Sequence, residues 1–148
     1  VMDGRVLIER AQLISQQHRI TYGVPIETMG LIKEICDIKQ SYTQYGGARP
    51  FGVSLLFVGE DDGENVLFVT EPTGIYFEYK ATAVGESSEL AKEILRKEYS
   101  ENMMVADGIK LAIKALKKVL GKEFDLARID GAVVQNGEYS KLDRKKIK

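Results

Sequence analysis

Cys36 and His18 are the only residues of their types in the chain, so a search for nucleophilic chemistry starts with them. A thiolate held beside an imidazole makes an acyl-transfer nucleophile. Cys36, however, falls inside a helical pattern next to Ile32 and Ile35, with no glycine elbow to expose it, and His18 closes an apolar stripe on a different helix. A free cysteine in such company behaves as a small buried hydrophobe. A metal centre would need a second histidine or cysteine. Glu60, Asp61 and Asp62 lack the alternating oxygen ligands of a calcium loop and read as a solvated turn. Gly46-Gly47 has neither the spacing nor the Lys-Ser/Thr pair of a phosphate loop. Tyr42, Tyr45, Tyr76 and Tyr79 suit core or interface, since each joins an aromatic body to a polar tip. Residue types and spacing therefore point to no catalytic residue, no metal site and no cofactor.

The elements that would position these residues are organised around Tyr42–Gly59, where the pattern passes from helix to turn to strand. Apolar residues recur at helical spacing before it. Gly46-Gly47 should stop that helix, because glycine takes the left-handed conformation a helix C-terminus favours. Pro50 forces Arg49 to be extended. Val53–Val58 is almost unbroken apolar, which predicts a strand covered on both faces. A loop shaped by glycine and proline thus joins a helix to a central strand and carries Arg49.

Upstream, Val6, Leu7, Ala11, Ile14 and His18 share a face and predict a helix from Asp3 to about Tyr22, with Asp3 favourable at its N-terminus and Gly23 ending it. A second helix is expected from Pro25 to about Tyr45, carrying Met29, Leu31, Ile32, Ile35, Cys36, Ile38 and Tyr42 on a wide stripe. Downstream, the turns Glu60-Asp61-Asp62-Gly63 and Glu71-Pro72-Thr73-Gly74 separate strands at 53–58, 66–70 and 75–83, a meander. Helices follow at about 87–99, with Leu90, Ile94 and Leu95 inward, and 105–120, with Ile109, Ala112, Ile113, Leu116 and Leu120 inward. Lys110, Lys114, Lys117 and Lys118 read as the solvated face of the latter. Ile129–Gln135, Asn136-Gly137 and Tyr139–Leu142 predict a hairpin, and the basic end from Arg144 to Lys148 reads as the start of a further helix. Helix pairs flanking antiparallel strands make a layered α+β fold.

The 148 residues suffice for one domain, and the formal net charge of −1 argues against nucleic acid as the main partner. One cysteine suits a reducing compartment. No apolar run approaches membrane-spanning length, so no membrane association is expected.

The run Y-T-Q-Y-G-G-A-R-P-F-G-V-S-L-L-F-V-G at 42–59 resembles the α-type subunits of the archaeal proteasome core particle. So does T-E-P-T-G-I-Y-F-E-Y-K-A-T-A-V-G at 70–85, whose G-x-x-x-x-Y-K-A-x-A-x-G pattern is that of α-type rather than β-type subunits; 4–12 and 95–99 agree. The resemblance implies an Ntn-hydrolase-like four-layer αββα sandwich of antiparallel sheets. Residues 1–148 would form a single domain, the C-terminal two-thirds of such a subunit. The family's N-terminal gating segment, pore-side helix and first strands have no counterpart in these residues. The same holds for its Y-D-R gate motif and the lysine and glycine of its activator pocket.

It further implies a non-catalytic, cytoplasmic building block of protein degradation. Such subunits form a heptameric ring of α-type subunits that caps the β-type rings, gates the entry of unfolded protein substrates and docks regulatory ATPases. Ntn catalysis uses the free amine of a terminal Thr, Ser or Cys; this chain starts with Val1, and internal threonines such as Thr43 or Thr82 cannot supply that amine. The residues expected to matter are therefore interfacial. Gly46, Gly47 and Pro50 would shape the loop, while Tyr45 and Arg49 make contacts within or between subunits. Arg49 could equally form an intramolecular ion pair that pins the loop. The alternatives are an α-like module that binds other subunits without forming a ring, and a hydrolase using Cys36.

Overall fold

A computed structural model of the chain describes residues 2–44, 46 and 49–143. The chain divides into two compact units, Val1–Tyr79 and Lys80–Lys148. Both combine helices with an antiparallel sheet, as an α+β chain should.

In the first unit, α1 (Met2–Tyr22) and α2 (Thr28–Gln44) precede a three-stranded sheet of β1 (Leu55–Asp61), β2 (Glu64–Thr70) and β3 (Tyr76–Glu78), in the order β1-β2-β3. Gly23, at φ +74°, closes α1 by donating to the Arg19 carbonyl at 2.9 Å. The β1–β2 turn is tighter than the four-residue turn the sequence predicts. Only Asp62 (φ +52°) and Gly63 (φ +82°) leave the ladder, and Asp61 still pairs with Glu64.

Two stripes on the inner side of the sheet make the core. Leu7, Ile35 and Phe51 form one buried cluster, joined by Ala11, Ile14, Leu31, Leu55 and Phe57. Ile32, Cys36 and Phe68 form the other, with Met29, Val66 and Tyr76 against it. The expected strand covered on both faces is not what forms. Leu55 and Phe57 face the helices, whereas Leu56 is 47% and Val58 59% exposed on the opposite face, where Phe77 is also exposed. An unbroken apolar run fixes no face, and β1, an edge strand, takes the period of two. On α1, Val6 is likewise exposed although it lies next to the buried Leu7. β3 is shorter than the alternation at 75–83 predicts: its ladder ends where the Tyr79 N–H donates to the Leu67 carbonyl at 2.8 Å. Alternation assigns faces but not the length over which a partner follows.

α2 begins at Thr28 rather than at Pro25, and the reason is distant in sequence. The Asp61 carboxylate, at the end of β1, accepts from the Thr28 N–H at 2.9 and 3.1 Å and from its hydroxyl at 2.8 Å. These bonds satisfy donors that a helix N-terminus leaves free, and they place a negative charge at the positive end of the helix dipole.

In the second unit, α3 (Ser88–Glu98) packs on α4 (Val105–Leu120), and β4 (Ala132–Gln135) pairs with β5 (Glu138–Lys141). Asn136 (φ +54°) and Gly137 (φ +72°) make the predicted two-residue turn. The helix contact departs from expectation, because Ala91, Leu111 and Ala115 are the buried residues while Leu90, Leu116 and Leu120 remain exposed. The predicted stripe of α4 faces elsewhere: Ile109, Ala112, Ile113 and Leu116 line a cleft of about 320 Å³ with Ile129, Val133 and Leu142. The lysines of α4 are solvated as expected, with Lys114 on Glu98 at 2.6 Å and Lys117 over the Phe124 ring. The segment from Arg144 to Lys148 lies outside the described residues.

Candidate functional site

The two residues best suited to nucleophilic chemistry are employed separately. Cys36 is packed by Ile32 and Phe68, and burial pushes its thiol above the ordinary pKa, away from the thiolate that would react. His18 directs Nδ1 to the Val24 carbonyl at 3.1 Å, and its ring lies 4.6 Å between centroids from that of Tyr22, tilted by 45°. Asp61 is the helix cap described above. Among the described residues, no group of three or more His, Cys, Asp or Glu side chains is arranged to hold a metal ion.

The loop leading into β1 is built differently. Asp3, in the first turn of α1, reaches across to it. Its Oδ1 accepts from Arg49 Nη2 at 2.6 Å, and its Oδ2 accepts from Arg49 Nη1 at 2.8 Å and from the Gly52 N–H at 2.9 Å. This is a fork-to-fork pair with one main-chain donor added, a geometry that fixes orientation as well as distance. The Asp3 side chain is 16% exposed and that of Arg49 73%, so the carboxylate is the enclosed partner and the guanidinium the accessible one. The Arg49 hydrogen bonds first, and then the Gly52 N–H, hold the Asp3 carboxyl below the usual carboxylate range; the bonds to Asp3 push Arg49 up. Beside the clamp, Phe51 is buried with Leu7 and Ile35, and its ring lies 4.7 Å from that of Tyr42. The loop is thus tied to α1 by charge and to α2 by an aromatic contact.

Of the five residues the sequence singles out, Arg49, Pro50 and Gly46 are exposed, while Tyr45 and Gly47 lie outside the described residues. The ion pair anticipated for Arg49 is present. Its partner was not foreseen, since Asp3 reads in sequence only as a favourable charge at the start of a helix. Lys39 was also missed. It is fully buried, and its Nζ donates toward Val53 O at 3.0 Å, Thr70 Oγ1 at 2.9 Å, Glu71 O at 3.1 Å and Thr70 O at 3.3 Å. The available signal was its place on the stripe of Ile32, Ile35 and Cys36, where spacing buries a residue whatever its type. No helix among the described residues is long and apolar enough to cross a membrane.

A family model described as Proteasome subunit matches residues 1–134. Among curated proteins, "Proteasome subunit alpha" of Methanopyrus kandleri is 46% identical over 147 residues, covering 99% of this chain and 60% of that protein. "Proteasome subunit alpha" of Methanococcus maripaludis strain C6 is 50% identical over 136 residues, covering 92% of this chain and 52% of the relative. The Methanocaldococcus jannaschii protein of the same name is 45% identical over 150 residues, covering 100% of this chain and 57% of its own length. The chain therefore spans between half and two-thirds of the length of these relatives.

Proposed function

The chain belongs to the proteasome subunit family, and we propose that it serves as a non-catalytic α-type subunit, a segment of the outer heptameric ring of a core particle. The observation that carries this reading is 45 to 50% identity, over most or all of the chain, to archaeal proteins named as α subunits. In that role it would pair with other α-type subunits, rest on β-type subunits that carry the hydrolytic residues, and help gate the entry of unfolded substrates and dock a regulatory ATPase. Such a particle works in the cytoplasm.

Two features of the structure support the reading. Cys36 is buried, which pushes its thiol pKa up, and the His18 imidazole is engaged with the Val24 carbonyl instead, which favours a building block over a thiol hydrolase. The loop around Arg49 is pinned from within yet leaves the guanidinium accessible, as a residue contacting a neighbour requires. Gly46, Gly47 and Pro50 would hold the loop shape and Tyr45 would add to the contact. The exposed apolar face of the β1–β3 sheet is suited to cover by a second sheet, as the four-layer sandwich of a single domain would require.

The test is to purify the protein with β-type subunits and label the particle with an electrophile that acylates terminal threonines. The label should fall on the β-type chains, and Cys36→Ala should leave peptide hydrolysis unchanged. Hydrolysis lost in Cys36→Ala would overturn the non-catalytic assignment.

A further inference from the structure

Lys39 is buried completely, yet every hydrogen-bond partner of its Nζ is neutral: the carbonyls of Val53, Thr70 and Glu71 and the hydroxyl of Thr70. A lysine is rarely enclosed in this way without a carboxylate, because its charge loses hydration that neutral oxygens only partly replace. The three carbonyls come from two places in the chain. Val53 is the end of the Arg49 loop, just before β1; Thr70 is the last residue of β2; Glu71 opens the turn to β3. Their oxygens converge on the Lys39 ammonium; the Glu71 carbonyl also accepts from the Gly74 N–H at 3.0 Å, so the cation adds to the turn's own bond and draws the Val53 carbonyl to the same point.

We propose that Lys39 is the positioning residue of the Arg49 loop: its ammonium acts as an internal cation that holds the Val53 carbonyl against the end of β2. The loop then has two anchors of different kinds. Asp3 fixes its middle, through Arg49 and Gly52, and Lys39 fixes its exit, through Val53. The turn at 71–74 is held to the same helix. Gly74, at φ +85°, lies so close to α2 that a Cβ there would come within 2.8 Å of the Cys36 carbonyl and 2.5 Å of Gln40 Cγ. One turn of α2 therefore sets the position of the loop and of the β2–β3 turn together. How this bears on subunit contacts rests on the α-type reading; the ordering of the loop does not.

Amide hydrogen exchange on the purified chain tests the proposal without reference to assembly. Lys39→Met keeps length and removes the donors, and it should speed exchange at 49–53 and 71–75 by about ten-fold or more. Amides in the middle of the β1–β2 ladder, such as Phe57 and Phe68, should change little. Arg49→Ala should loosen 49–52 and leave 71–75 protected, a separation that a general loss of stability cannot produce. Should Lys39→Met fail to fold, Lys39→Gln, which keeps two donors without the charge, should show the same local pattern at smaller amplitude. Exchange that rises evenly across the unit, or does not rise at the loop, overturns the proposal. A loosened loop with unchanged ring formation upholds it and counts instead against a role of the loop in subunit contacts.

Discussion

At the scale of single residues, the structure turns on two charges treated in opposite ways. Arg49 stays accessible and shares its charge with Asp3, so Arg49→Ala should alter the unfolding temperature only slightly while weakening assembly or the response to a regulator. Differential scanning calorimetry beside size-exclusion chromatography separates the two effects; equal melting and equal assembly would count against an interfacial role. The clamp also has a pH signature. Because folding lowers the pKa of Asp3, its contribution is complete above the ordinary carboxylate range and is lost as pH falls through the folded value. Removing Arg49 should therefore flatten the acid limb of the stability curve. Lys39 behaves inversely: burial lowers its pKa, so the folded chain binds that proton less tightly than the unfolded one, and stability should rise with pH as the folded value is passed. The Cys36 thiol, raised by the same burial, works against this at high pH, so the lysine effect is best read in a Cys36→Ala background. Arg49 was legible because a proline and glycines mark its loop. Lys39 was not, since the helical period says that a position is buried but not that convergent carbonyls require a cation there.

Between elements, close approach decides which residues are tolerated. Gly59 in β1 lies against Thr28, and a Cβ there would collide with the hydroxyl that donates to Asp61. Asp61→Ala should cost about 1 kcal/mol, the usual worth of a helix cap. Gly74→Ala should cost ~2 kcal/mol or more, since it adds left-handed strain to a contact with the α2 backbone. Urea unfolding measures both, and Gly74→Ala should be the larger. The helices, the order of the strands and the Asn-Gly turn were readable, because 3.6- and 2-residue periods and the Asn-Gly pair are local signals; the β1–β2 hairpin was readable too, but as a four-residue turn where only Asp62 and Gly63 leave the ladder. The start of α2 was not, because its cap lies 33 residues away on another strand. The exposed side of β1 escaped for a related reason: apolar residues at every position cannot say which face meets the helices. In α4 the buried contact passes through Leu111 and Ala115, the small and large residues flanking the predicted stripe, which serves a different neighbour.

For the molecule as a whole, the placement of Cys36 and His18 and the likeness to α subunits point the same way. Cys36 packs with Ile32 and Phe68 while His18 faces the Val24 carbonyl, and the chain shares about half its residues with proteins that carry the name of a proteasome α subunit. Fold alone would not settle function, since one scaffold can host many activities. What separates a ring segment from an independent hydrolase is whether the protein closes with copies of itself, and native mass spectrometry of the purified protein reads this directly. A closed heptameric species that hydrolyses no peptide until β-type subunits are added is the predicted result. A monomer that turns over peptide substrates by itself would contradict the account.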